Sequence, residues 1–344
     1  MSIPESMIRS RTNLKTVAKA LGLSVTTVSR ALKDGPEVRP ETIQRVKSAA
    51  EKLGYVPNQG GLILRTGRSY TIALILSPEP QSAFPAMGFM FYCQGILRSL
   101  QGSPYTLSIQ PRLEEENLLM PIKRIVDGQL ADGLIIGQTR NDDSRVRYLQ
   151  QQQFPFVTFG RTKLPEPHPF YDVRHEWITK DSVYRLFKLG HQRIGLINPP
   201  EELNYSRHRL DGFLKGLESC GLGFQKEMQV STALSFEAGR KVLQQFTELP
   251  NPPTAIVSPG VSTTLGILTE MNSANLILGK DLDLIAFEGT NYLEFNTPRI
   301  NAYHSSLEAA GQQLCKLLLR RIEGESAEKL QILQEPEFLN RQEN

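Results

Sequence analysis

Between Ser24 and Arg30 the chain reads SVTTVSR, which sets four hydroxyl side chains and one guanidinium within about two helical turns. Hydroxyls donate and accept hydrogen bonds, a Val or Thr methyl meets an apolar edge, and a guanidinium grips two acceptors at once. That is the chemistry of recognition. A second set lies far downstream: Trp177 in YDVRHEWITKD, Tyr205 and Arg209 in NYSRHRLDGF, and Glu288 at the end of DLIAFE. An arginine fork, a carboxylate and an aromatic face are each groups that can hold a small polar molecule. Signals for bond-breaking chemistry are missing. His168, His175, His191, His208 and His304 show no metal-ligand spacing, and no GxSxG, P-loop or strand-linked GxGxxG occurs. The expectation is a binding protein with no catalytic residues, no metal and no cofactor.

The first set needs a helix start to present it. A helix over about Leu14 to Leu21 carries Val17, Ala18 and Leu21 on one face, and Gly22 suits the left-handed position after its end. Ser24 is a good N-cap for a second helix with Val25, Val28, Ala31 and Leu32. After the turn DGPEV, Pro40 fits the first position of a third helix that Gly54 stops. Two short helices around a glycine turn form a helix-turn-helix, whose second helix enters the major groove of DNA by its N-terminal end. There Thr side chains meet base edges or a thymine methyl, and Arg30 grips guanine.

Charge agrees with that partner. Residues 1–68 hold twelve Lys and Arg against five Asp and Glu, a net of +7, while the remainder sums to −4. A basic head on a mildly acidic body is the footprint of polyanion binding. No apolar run is long enough to span a membrane, the N-terminus lacks a secretory core, and Cys93, Cys220 and Cys315 are few and scattered. Those features predict a cytoplasmic protein with reduced thiols and no membrane partner.

After Tyr70 short β-rich runs alternate with amphipathic helices. Strands are expected at TIALIL, YTLSI, DGLII, PFVTF, RIGLIN, TAIVS and DLIAF, with helices around Ile122–Val126, Ser182–Leu189, Leu210–Leu217 and Leu307–Ile322. Buried parallel strands joined by helices make an α/β body, in one large sheet or two.

NLKTVAKALGLSVTTVSRALKDGPEVRPETIQRVKSAAEKLGYVPN resembles the DNA-binding head of the LacI/GalR family of transcriptional repressors, and DGLII with LGHQRIGLI and RHRLDGF is similar to that family's effector domain. The resemblance implies an all-α head over 1–56, a hinge helix over 57–69, and a two-lobed periplasmic-binding-protein-like α/β domain over 70–344. Its N-lobe would take 70–189 and 304–334, and its C-lobe 190–303 and 335–344. Val25 and Thr26 would then read the operator with Arg30, and Ser24 heads the same helix. Leu14, Thr27, Ser29, Tyr55 and Asn58 would position the head through backbone or groove-edge contacts. Leu64 would wedge into the minor groove. Arg39 stands where the family has a capping Ser, and Gly60 and Gly61 weaken the hinge helix by roughly 0.8–1 kcal/mol each relative to Ala.

For the ligand the same resemblance implies Arg209, Tyr205, Trp177 and Phe84. Glu288 stands in place of an Asp, and Gly260 with Val261 replaces an Asn-Asp pair for which Ser258 or Ser262 could substitute. The implied molecule is a homodimeric repressor on double-stranded, pseudo-palindromic operator DNA. Its small-molecule effector would be a sugar or glycoside, or failing that a purine or phosphorylated metabolite. A solute-binding protein for transport has no use for the basic head.

Overall fold

The computed structural model describes residues 12–32, 34–55, 67–76, 83–112, 116–296 and 299–341, with the side chains of 83–87 outside that description. The chain divides into two compact units, 1–69 and 70–344.

The first unit is a head of three helices. Asn13 opens α1 (Leu14–Leu21) by accepting from the Thr16 N–H at 3.0 Å, and Gly22 closes it at φ 65°. Ser24 caps α2 (Val25–Ala31), and Pro40 starts α3 (Pro40–Lys52) behind Arg39, whose side chain makes no capping bond. The Gly22, Ser24 and Pro40 signals thus act where their chemistry predicts. Helices of eight and seven residues do not hold in water alone. They are held here by a shared core of Val17, Ala18, Val28, Ala31, Val46 and Ala50. Each fully buried Val contributes roughly 1.5–3 kcal/mol. Polar ties close the unit: Arg45 Nη2 donates to the Leu21 carbonyl at 3.1 Å, and Thr12 Oγ1 to the Leu53 carbonyl at 2.9 Å.

The second unit has two six-stranded sheets rather than one. The N-lobe sheet contains β1 (Thr71–Leu76), β2 (Thr106–Pro111), β3 (Gly133–Ile136), β4 (Phe156–Phe159), β5 (Phe170–Val173) and β11 (Gln331–Gln334), ordered β11-β5-β4-β3-β1-β2. The C-lobe sheet contains β6 (Ile194–Asn198), β7 (Gln229–Ser231), β8 (Ala255–Val257), β9 (Asp283–Glu288), β10 (Asn301–His304) and β12 (Glu337–Leu339), ordered β12-β10-β9-β8-β6-β7. Every pairing is parallel except β10 with β12.

Helices cover both sheets. In the N-lobe these are α4 (Ala83–Leu100), α5 (Met120–Asp127) and α6 (Ser144–Gln151). In the C-lobe they are α7 (His175–Lys188), α8 (Asn204–Ser219), α9 (Phe236–Thr247) and α10 (Val261–Ser273). Helix α11 (Leu307–Ile322) returns to the N-lobe, on α4 and against β3, β4 and β5.

Three expectations change. Strands β5, β7, β10, β11 and β12 are three or four residues long and were not legible, since QILQ or QVS has neither an apolar run nor a sustained alternation. Helix α7 starts at His175 rather than near Ser182. It also packs on α8, β8 and β9, so the chain crosses to the C-lobe at Arg174, well before residue 189. The α7–α8 contact is close enough to need glycine: a Cβ on Gly212 would lie 2.0 Å from the Glu176 carbonyl oxygen.

Candidate nucleic-acid interface and ligand cleft

On the head, the hydroxyls at the start of α2 divide into two groups. Ser24 Oγ accepts from the Thr27 N–H at 3.0 Å and lies 2.8 Å from Thr27 Oγ1, so both side chains are engaged in the cap. Val25, 40% exposed, and Thr26 stand free at the first two helical positions. An exposed Val at a polar helix start has no packing purpose in this unit. Ser29 is half-buried, and Arg30 is exposed with its Nε 3.3 Å from Glu37 Oε1, a pair that solvent screens. Leu14 and Tyr55 are half-buried and lean on the head core, so they brace the unit from its two ends. Lys15, Lys19, Arg39 and Lys52 are exposed and have no ion-pair partner among the described residues. Asn58 and Leu64 lie outside the described residues.

In the second unit, Arg209 on α8 is 1% exposed. Its Nε donates to Asn198 Oδ1 at 3.1 Å and its Nη2 to the Ser258 carbonyl at 3.4 Å, while Nη1 has no partner. Asn198, at the C-terminal end of β6, is itself fixed by donating to the Ser206 carbonyl and hydroxyl, both at 2.8 Å. Burial pulls the Arg209 guanidinium down to about 10, and no carboxylate among the described residues pairs with it.

Tyr205 lies one turn before Arg209 on α8, with its ring 5.1 Å from that of His175, which also meets Phe287 edge-on at 5.4 Å. His175 is buried and its Nδ1 is unpartnered. Burial holds its pKa well below the usual histidine range, and the charges of Arg209, His208 and Arg161 push the same way.

Glu288, at the end of β9, is 1% exposed, and both of its oxygens are engaged. Arg341 Nη2 lies 2.5 Å from Oε1, and the Leu293 N–H donates to Oε2 at 3.1 Å. Gly260 precedes α10 with extended backbone and adds no side-chain cap; a Cβ built there meets nothing within 4 Å. Ser258 Oγ is tied to Thr264 Oγ1 at 2.7 Å. Trp177 does not join this group. It is 38% exposed and stands edge-on to Tyr303 at 5.4 Å, because residues two apart on a helix face opposite sides and His175 takes the inner one. Phe84 falls in the first turn of α4, and its side chain lies outside the described part.

The two lobes meet beside this cluster. The backbones of Arg140 and Leu203 form an antiparallel bridge, and the Asn204 N–H donates to the Thr139 carbonyl at 2.8 Å. Asn204 Nδ2 donates to the Arg161 carbonyl at 2.7 Å, and the Arg161 guanidinium spans Asp172 at 2.7 Å and Glu176 at 3.0 Å. Asn198, His175, Asn204 and Arg161 were missed in the sequence. Strand ends were the available signal, because ligands in open parallel sheets bind at the carboxyl ends of strands, where Asn198 and Arg161 stand.

Comparison with known proteins completes the description. A family model described as bacterial regulatory proteins, lacI family, matches residues 13–58, and one described as a periplasmic binding protein-like domain matches residues 183–342. The HTH-type transcriptional regulator AglR of Rhizobium meliloti (strain 1021) is 33% identical over 312 residues, which cover 89% of this chain and 87% of that one. Among solved structures, the Lac repressor dimer bound to operator and an anti-inducer has a TM-score of 0.82 at 21% identity, over 97% of this chain and 99% of that one. The complex of the transcriptional regulator CelR with cellobiose has a TM-score of 0.71 at 22% identity, over 97% and 100%. At these identities the two structures speak to the fold.

Proposed function

The chain belongs to the lacI family of bacterial regulatory proteins, DNA-binding regulators of transcription and not enzymes, and from that premise we propose a ligand-responsive repressor. Two copies bind a pseudo-palindromic operator, and a small sugar or glycoside between the lobes controls them. The observation that carries the reading is the start of α2, where Ser24 and Thr27 spend their hydroxyls on the cap and leave Val25 and Thr26 exposed to read bases. Lys15, Lys19 and Arg39 supply sequence-independent attraction to phosphates.

The homodimer is supported by apolar surface on the second unit. Met90 is 67% and Phe295 81% exposed, and Leu97 lies seven residues beyond Met90 on the same face of α4. Two-fold pairing of copies matches a two-fold DNA site. The effector reading rests on Arg209, Tyr205 and His175 at the strand ends of the C-lobe, next to the contacts that join the lobes. A transcriptional regulator of the same fold, CelR, has been solved in complex with cellobiose, which favours a sugar as the class of effector. A ligand acts only by its differential affinity for two lobe arrangements, and those contacts are what such a change would make or break. Among the described residues no helix is long and apolar enough to cross a membrane.

Selection of bound sequences from random duplex DNA, followed by footprinting across a salt series, tests the reading. A two-fold symmetric, salt-sensitive footprint is expected. Binding with no sequence preference would overturn it.

A further inference from the structure

The loop after α2 folds back onto Arg30. The Gly35 N–H donates to the Arg30 carbonyl at 3.0 Å, and the Val38 N–H donates to the Gly35 carbonyl at 2.9 Å, which closes a turn over Gly35–Val38. Val38 leans on the head core, so the turn is pinned at both ends. Glu37, inside the turn, brings its Oε1 to 3.3 Å from Arg30 Nε. Gly35 leaves the room for it, since a Cβ there would lie 3.0 Å from Glu37 Oε2. The other acid of the loop, Asp34, holds Lys47 Nζ at 2.7 and 2.8 Å. Glu37 is therefore the carboxylate that Arg30 meets.

Arg30 lies four residues after Thr26, on the same face of α2. Among the described residues its Nη1 and Nη2 make no hydrogen bond. A guanidinium held at Nε keeps that outer pair of donors for O6 and N7 of guanine, and a long side chain fixed beforehand loses less freedom on binding. An acid placed here otherwise only opposes binding, because it repels phosphates. From this geometry we infer that Glu37 is a positioning residue for base reading: its carboxylate holds the Arg30 guanidinium in the orientation that grips guanine. Water screens the pair in the free head, and docking on DNA excludes water and strengthens it. The inference rests on the proposed operator binding and assigns a role within it.

A double-mutant cycle in the full-length protein tests it. Wild type, Arg30→Ala, Glu37→Ala and the double variant each undergo selection from random duplex DNA. Fluorescence anisotropy then gives their affinities for the selected operator, its single-base variants and an unrelated duplex. Arg30→Ala identifies the base pair that Arg30 reads. With Glu37→Ala, discrimination at that base pair is expected to fall roughly three- to ten-fold. Affinity for the unrelated duplex is expected to rise about two- to three-fold at low salt, as a negative charge leaves the interface. In the Arg30→Ala background the same substitution should change discrimination no further. Gly35→Ala crowds the carboxylate without removing its charge, so it should lose discrimination with no gain on unrelated DNA. Glu37 is exposed, and preference at one base pair relative to its neighbours is a readout that a general loss of stability does not move.

An equal gain on every sequence, with discrimination intact, would overturn the inference and leave Glu37 a repelling charge. Sharper discrimination in Glu37→Ala would overturn it too, because the carboxylate would then be competing with DNA for Arg30. A wild type with no sequence preference would remove the proposed function, and this inference with it.

Discussion

The ring of His175 lies 5.1 Å from that of Tyr205 and is tilted 39° to it, which joins the first turn of α7 to the first turn of α8. Tyr205 and Arg209 share α8, so this contact sets the imidazole beside the proposed ligand site. Burial, and then the charges of Arg209, His208 and Arg161, hold the pKa of the ring well below the usual histidine range in the folded chain. The unfolded chain takes up a proton near about pH 6.5 that the folded chain does not, so stability must fall as the pH drops below that point. We expect urea midpoints of the wild type to decrease between about pH 7.5 and about pH 5.5, and His175→Gln to flatten part of that slope. His168, His208 and His304 are also held low by burial and supply the remainder. An unchanged slope in the variant would mean that the ring is already charged in the folded state.

Val25 and Thr26 are expected to set which operator is chosen, with little influence on whether the head folds. Exchanging the pair for other small residues should redistribute affinity among operators by about 1–3 kcal/mol per altered base contact. The thermal midpoint of the head should stay put. Loss of affinity on all sequences alike would instead assign the pair to phosphate contact.

Ser24→Ala should act the other way. It removes the capping bond to the Thr27 N–H, costs about 1 kcal/mol of head stability, and weakens every operator in parallel. The melting transition of the second unit within the full chain offers the control, since its midpoint should be unaffected.

Gly212→Ala tests the α7–α8 contact. The added methyl would lie 2.0 Å from the Glu176 carbonyl oxygen, which is backbone and cannot swing away, and 2.5 Å from Thr179 Oγ1. Overpacking of this kind costs about 1–3 kcal/mol or more and should lower the urea midpoint while leaving operator recognition by the head intact. A neutral effect would show that the two helices slide apart freely.

At acid pH the pair Asp143–Arg145 is the point to watch in the N-lobe. Its atoms lie 2.6 Å apart, with both side chains nearly inaccessible to water. Burial alone would raise the Asp143 pKa, but the Arg145 hydrogen bonds and charge, with the backbone N–H groups of Arg140 and Arg145, hold it below its ordinary value. A carboxyl depressed in the folded state stabilises at neutral pH, and the contribution is lost as pH falls through the folded value, below about 3.8. Asp143→Asn should cost about 3–5 kcal/mol at neutral pH, because it strands a buried guanidinium, and should remove this part of the acid transition. Denaturant titration at several pH values measures both.

Much of the molecule was legible in the residue order because the signals are local. Gly22 ends a helix through its own φ, Ser24 reaches only three residues forward, and Pro40 fixes its own backbone. The seven apolar strands announce themselves by composition, as does the basic head. At the proposed ligand cleft, NYSRHRLDGF placed Tyr205 and Arg209 together because they are one turn apart on one helix, a relation that sequence spacing states outright.

The tertiary structure decided the rest, where the partner lies far along the chain. Two sheets form instead of one because the chain crosses at Arg174 and brings β11 and β12 back to opposite lobes. Glu288 could not be seen to be matched, since Arg341 stands 53 residues later and meets it only when β12 pairs with β10. Whether His175 or Trp177 faces Arg209 depends on the rotation of α7, which is set by the glycine-tight contact with α8. Local order specifies caps, periods and neighbours on one element. Which side chain is left buried without a partner depends on how separate elements close around it.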